Sequence, residues 1–119
     1  MTYNFYCDLL ISFVKKEIEF YEQMPKHLLL TYSVQEHLLD LKMLLIHLEN
    51  SKELGNSTTL TEMDNEVIAS ILNGLIQSFS EKADYYKPQT FLQNSTLNIV
   101  TILENMQSIF LDNLIKEMF

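Results

Sequence analysis

Glycine and proline, the residues that most often interrupt a helix, are scarce in this chain. Only four occur in 119 residues, namely Pro25, Gly55, Gly74 and Pro88. Between them, apolar residues recur at spacings of three and four, the period of an amphipathic helix. Three of the four lie where that pattern stops or restarts. The sequence therefore predicts four long helices.

The short connections between these segments favour helices that pack beside their neighbours in sequence. We predict an all-α, single-domain (residues 1–119) antiparallel four-helix bundle of up-down-up-down topology. The predicted helices cover about residues 4–23, 34–54, 60–86 and 90–118.

Local signals predict where these helices begin and end. Residues 33–36 and 59–62 each have the form of a capping box, in which a hydroxyl and a carboxylate satisfy backbone N–H groups.

Gly55 stands where a helix-ending glycine is expected. Gly74 lies inside the third helix, and we interpret it as a point of close helix approach rather than as a functional hinge. The last helix starts near Pro88, or later if residues 94–96 form a cap.

The second helix has a heptad-like seam, formed by Val34, Leu38, Leu41, Leu45 and Leu48.

The charge of the chain argues against two classes of partner. The net charge is −8, and the sequence contains no arginine, the usual residue for bidentate phosphate contacts. An acidic domain also repels nucleic acid and anionic lipid headgroups. We therefore expect neither nucleic-acid nor membrane binding.

The single cysteine, Cys7, allows no intrachain disulfide and no cysteine-based zinc site. The N-terminal residues lack the pattern of a signal peptide, because Asp8 interrupts the apolar run and the lysines follow it. We expect a cytoplasmic protein.

The motifs of catalysis are missing from the sequence. Two isolated glycines provide neither a nucleophile elbow nor a phosphate-binding loop, and no histidine has the Glu-x-x-His or His-Glu-x-x-His spacing of helical metal sites. One cluster remains, in which His37, Asp40 and His47 fall on one side of the second helix. They could hold a metal or act as acid and base, but we favour the simpler interpretation, a solvated helix face opposite the seam from Val34 to Leu48. We expect no enzyme activity and no cofactor.

Tyrosines concentrate near the first and third connections, which lie at the same end of an up-down bundle. This predicted tyrosine end consists of Tyr21, Tyr32, Tyr85 and Tyr86. Tyrosine combines a large apolar face with a polar tip and is frequent in recognition surfaces. The group therefore predicts either a partner-binding patch or a plug over the open end of the core.

The last helix has apolar residues over more of its circumference than one bundle face needs. Met106, Phe110 and Leu114 are the positions at which we expect contact with a partner. Such a helix indicates a homodimer, a bound protein partner, or a central place in another helical fold.

The hydrophobic spacing of the last twenty residues resembles the closing helix of the poxviral Bcl-2-like proteins. This resemblance covers less than a fifth of the chain. It implies more and shorter helices than the four predicted here, and a viral regulatory function.

Taken together, these features favour a small acidic helical protein that works by protein–protein interaction, as an inhibitor, immunity factor or adaptor. One alternative is a metal-binding or enzymatic bundle that uses His37, Asp40 and His47. A second is a self-associating structural subunit.

Overall fold

The structure, a computed structural model, describes residues 3–25, 27 and 32–118, with side chains for 3–25, 27 and 33–111. In these residues the regular secondary structure is all helical, and there is no strand. The four helices are α1 (Tyr3–Glu22), α2 (Tyr32–Leu54), α3 (Glu62–Tyr85) and α4 (Phe91–Met118). The prediction of an all-α chain with four long helices is confirmed.

The described residues do not show the more numerous, shorter helices that the Bcl-2-like resemblance implies. No helix in this part of the chain combines the length and apolar character needed to cross a membrane.

The chain forms two compact units, Met1–Val67 and Ile68–Phe119, and the boundary between them falls within α3. In the first unit, α1 packs against α2. Glu22 pairs with Lys42 at 3.0 Å, and Asp8 pairs with Lys52 at 2.5 Å. Glu22, near the end of α1, meets the earlier of the two lysines of α2. Asp8, near the start of α1, meets the later one, so the two helices run in opposite directions.

The buried apolar residues of the first unit lie mainly on the facing sides of α1 and α2. They are Tyr6, Cys7, Leu10, Ile11, Val14, Leu41, Leu44, Leu48 and Val67. Removing such apolar surface from water is the main driving force for folding.

The second unit contains most of α3 and all of α4. Gln107 hydrogen-bonds to Asn73, and Gln93 Nε2 donates to the carbonyl oxygen of Ala83 at 3.3 Å. These contacts indicate that α3 and α4 also run in opposite directions. The buried apolar residues of this unit are Ile68, Leu72, Ala83, Val100, Leu103, Met106 and Phe110.

The end of α2 agrees with the prediction from Gly55, whose φ is +75°. Its N–H donates to the carbonyl oxygen of Ser51 at 2.9 Å, which closes the helix. The start differs, because α2 begins at Tyr32, so Ser33 lies inside the helix and does not cap it.

The predicted capping box at residues 59–62 is wrong by two positions. The Asp64 N–H donates to Thr61 Oγ1 at 3.1 Å, and the Thr61 N–H donates to Asp64 Oδ2 at 2.8 Å. This reciprocal pair is a capping box at residues 61–64. Accordingly, α3 begins at Glu62, rather than at residue 60.

The interpretation of Gly74 as a point of close helix approach is also wrong. No described heavy atom from outside its local helix backbone lies within 4 Å of a Cβ built on this residue. Gly74 is exposed and has a helical backbone. Packing therefore does not require a glycine here.

The last helix begins at Phe91, so residues 94–96 do not delay it. Thr90 caps it, since Thr90 Oγ1 accepts the Gln93 N–H at 3.3 Å. Before the cap, Gln89 has a φ of +65°, an uncommon conformation for a residue other than glycine. Its N–H donates to Gln93 Oε1 at 2.8 Å, which helps to hold that conformation.

Candidate functional site

A row of exposed apolar side chains runs along α2 on the side opposite its packed face. Leu39, Met43 and Ile46 are 60%, 45% and 52% exposed. Their spacings of four and three place them on one face of the helix. We call these three residues the α2 stripe. It is a continuous apolar surface on a regular helix, the kind of feature that marks a binding site.

Acidic residues flank the α2 stripe. At 100° per residue, Glu36 and Glu53 lie within about 60° of it, on opposite sides. Asp40 and Glu49 lie about 90° away, one on each side. Lys42 is the basic residue of this region, and its Nζ pairs with Glu22 Oε1 of α1 at 3.0 Å. The border of the stripe is therefore predominantly negative.

The opposite face of α2 holds the helix against α1. Leu41, Leu44 and Leu48 are fully buried there. Burying a leucine side chain contributes about 1.5–3 kcal/mol. The α2 stripe thus lies on a helix whose position is set by its other face.

A polar group fixes the end of α2 to the start of α1. The Tyr3 hydroxyl hydrogen-bonds to Ser51 Oγ, which donates to the carbonyl oxygen of Asn56 at 2.6 Å. Burial raises the pKa of Tyr3 to about 12. Burial likewise raises the pKa of the neighbouring Cys7 thiol. A thiol in this state is a poor nucleophile, so Cys7 is suited to packing rather than to catalysis.

His47 joins α2 to the first turn of α3. Its Nδ1 lies 2.6 Å from Asp64 Oδ2, and the Asp64 side chain is only 4% exposed. The same carboxylate oxygen accepts the Thr61 N–H. One buried carboxylate therefore completes the capping box of α3 and ties α3 to α2, which is a structural role.

A groove of about 570 Å³ lies along α1 and α2. Its charged lining residues are Asp8, Lys15, Glu49, Lys52 and Glu53. The ion pair of Asp8 with Lys52 raises the pKa of Lys52, chiefly through its hydrogen bond. This lining of both signs is unlike the mostly apolar pockets that bind small molecules.

The residues of the predicted tyrosine end are divided between the two units. Tyr21 is half-buried in the first unit, and its ring packs edge-on against His37 at 5.0 Å between centroids. Tyr85 and Tyr86 belong to the second unit and pack edge-on against each other at 6.2 Å. Of these two, Tyr85 is the more exposed. The side chain of Tyr32 lies outside the described side chains.

The predicted contact residues of the last helix are placed differently from the expectation. Met106 and Phe110 are fully buried, so their side chains offer no surface to a partner. Their spacing of four places them on the same face of α4 as the buried Leu103. The side chain of Leu114 lies outside the described side chains.

The cluster of His37, Asp40 and His47 does not form one site. His37 contacts the Tyr21 ring, whereas His47 pairs with Asp64. Among the described residues, no group of three histidine, cysteine, aspartate or glutamate side chains is placed to hold a metal ion. The solvated-face interpretation of His47 is also wrong, because its partner is a buried carboxylate.

The α2 stripe is not among the sites predicted from the sequence. The signal was present, since Leu39, Met43 and Ile46 have the same spacing as the seam from Val34 to Leu48. The apolar residues of α2 lie on two opposite sides of the helix. Because the domain buries only one of these sides, the other is available for a partner.

Comparison with known proteins finds no matching family model, no matching curated sequence and no matching solved structure.

Proposed function

We propose that this chain is a non-catalytic protein that works by binding another protein through the α2 stripe. The observation that carries this proposal is the exposure of Leu39, Met43 and Ile46 on a helix already packed through its opposite face. Contiguous exposed apolar surface with a polar border is typical of protein-binding sites.

The energetics of a small interface fit this proposal. About half of the surface of each of these three side chains is still exposed, and docking buries it. This burial contributes about 1 kcal/mol of binding free energy per residue. A few such central residues commonly supply most of the binding energy. A rigid helix also loses little conformational entropy when it binds.

Site-specific photocrosslinking tests the location of the site. A photoreactive phenylalanine analogue is placed at position 43, in the α2 stripe, or at position 97 as a matched control. Leu97 is 44% exposed, close to the 45% of Met43, but it lies on α4. In extract from native cells, we expect a discrete crosslinked product from position 43 that excess wild-type protein suppresses.

Excess Ile46→Asp protein should not suppress that product. Equal crosslinking from positions 43 and 97, or suppression by the Ile46→Asp protein, would show that the stripe is not the binding site.

We further propose that the two antiparallel helix pairs complete one up-down-up-down four-helix bundle. The similar helix lengths, from 20 to 28 residues, support this arrangement. Small-angle X-ray scattering tests it. A bundle of this size has a radius of gyration of about 14 Å, and a clearly larger value would contradict the proposal.

A further inference from the structure

We propose that the partner of the α2 stripe is an amphipathic helix with lysine or arginine residues beside its apolar face. This inference rests on the proposed function and names the chemistry of the partner.

The shape of the site favours a helix as the ligand. The α2 stripe runs along the helix at the spacing of four and three that two packed helices share. Asn50, one turn beyond Ile46, continues the same line, and exposed Leu54 lies about 50° to one side of it. A partner helix that lies along α2 would place its own i, i+4 and i+7 side chains between these residues.

The charges beside the stripe favour a basic partner. Glu36 and Asp40 lie on one side, and Glu49 and Glu53 lie on the other. The positive charge of Lys42, which also lies beside the stripe, is already paired with Glu22 at 3.0 Å. Cations at the border of a partner helix would therefore meet carboxylates on both sides, which steers association and selects the partner.

The same charges argue against a second copy of this chain as the occupant. In an antiparallel pairing centred between Met43 and Ile46, Glu36 of each copy would face Glu53 of the other. In a parallel pairing, Glu36 would face Glu36. Each copy also carries a net charge of −8, so like charges would oppose self-association at this face.

The test uses synthetic peptides as probes for the full-length chain. The probe is a labelled peptide of about three heptads, with leucine at positions a and d and lysine at e and g. A control peptide has glutamate in place of lysine, and a second has the lysine sequence scrambled. We expect saturable binding of the lysine peptide, at least tenfold tighter than either control.

Variants of the chain locate the binding. The Leu39→Asp/Ile46→Asp protein should bind the lysine peptide at least about tenfold more weakly, because two apolar contacts are lost. The Glu36→Gln/Glu53→Gln protein should bind about two- to fivefold more weakly and respond less to added salt. Glu81→Gln/Glu104→Gln makes the same change in net charge on α3 and α4, and it should bind like the wild type.

Three results would overturn the inference. Equal binding of the lysine and glutamate peptides would remove the charge argument. Equal weakening by the two Glu→Gln pairs would show a general effect of net charge rather than a local site. A wild-type dimer in sedimentation that Leu39→Asp/Ile46→Asp dissociates would identify a second copy as the occupant.

The proposed function fails separately from this inference. Protein binding through the stripe stands if photocrosslinking at position 43 succeeds while the lysine peptide does not bind. In that case the partner has a different chemistry.

Discussion

The side chains of Tyr3, Cys7 and Ser51 meet where α1 begins and α2 ends. Burial raises the pKa of Tyr3 to about 12 and also raises that of Cys7. An unfolded tyrosine loses its proton near pH 10. Between about pH 10 and 12 the unfolded chain thus releases a proton that folded Tyr3 retains. The associated stability is complete below about pH 10 and is lost as the pH rises to about 12.

Tyr3→Phe should therefore reduce the alkaline loss of stability. At pH 7 the variant should be less stable by about 1 kcal/mol, because the hydrogen bond to Ser51 is lost. From about pH 9.5 to 11.5, its free energy of unfolding should fall less steeply than that of the wild type. Urea unfolding followed by circular dichroism measures both quantities.

Tyr85→Phe is the control, because it removes an exposed tyrosine and should follow the wild-type curve. Parallel curves for wild type and Tyr3→Phe would contradict the assignment.

Asp64 performs two structural tasks with one carboxylate. Asp64→Ala should lower the free energy of unfolding by about 2 kcal/mol, because it removes the carboxylate half of the capping box and leaves His47 without its partner. Asp84→Ala changes an exposed aspartate of the same helix and should alter stability by about 0.5 kcal/mol or less. Chemical denaturation of the two variants is the measurement. An equal loss of unfolding free energy in the two variants would show that the contacts of Asp64 do not stabilise the fold.

At the level of the helices, local signals predicted the number of elements but not every boundary. Residues 59–62 and 61–64 both have the hydroxyl-to-carboxylate spacing of a capping box. The second is used, and its carboxylate also contacts His47, which is 17 residues away. Spacing alone could not choose between the two, because the contact that separates them is tertiary.

The two faces of α2 also differ in a way that local spacing could not predict. The spacing of the apolar residues shows which of them share a helix face, but it does not show which face the domain buries. Of the predicted seam, Leu41 and Leu48 are fully buried, whereas Val34, Leu38 and Leu45 are half-buried. The α2 stripe became recognisable only from the exposure of its side chains.

Gly74 provides a test of helix propensity in α3. Gly74→Ala should raise the free energy of unfolding by about 0.5–1 kcal/mol, since the backbone is helical and the added methyl group meets no described atom. Gly55→Ala is the matched control, and it should destabilise the protein because its φ is +75°. Thermal or urea unfolding distinguishes the opposite signs. Destabilisation by Gly74→Ala would indicate that the glycine is needed.

Across the whole molecule, the apolar residues lie partly in the core and partly on exposed helix faces. The prediction from the last helix assigned Met106 and Phe110 to a partner-facing surface, but both are fully buried. Residues exposed on α4 include Leu97 and Ile99. The sequence pattern shows that a helix is apolar over much of its circumference, whereas only the fold shows which of its side chains reach the surface.

We propose that the α2 stripe binds a protein partner without being needed for folding. Ile46→Asp tests both parts of this proposal, with Leu97→Asp as the control at a similarly exposed position on α4. Tagged wild-type and variant proteins are compared in two measurements, the melting temperature and the amount of each partner captured from native extract.

We expect both variants to melt within a few degrees of the wild type, because neither side chain is in the core. Partners captured by the wild type should be lost with Ile46→Asp and retained with Leu97→Asp. Unchanged capture by a folded Ile46→Asp protein, or its unfolding, would contradict the claim.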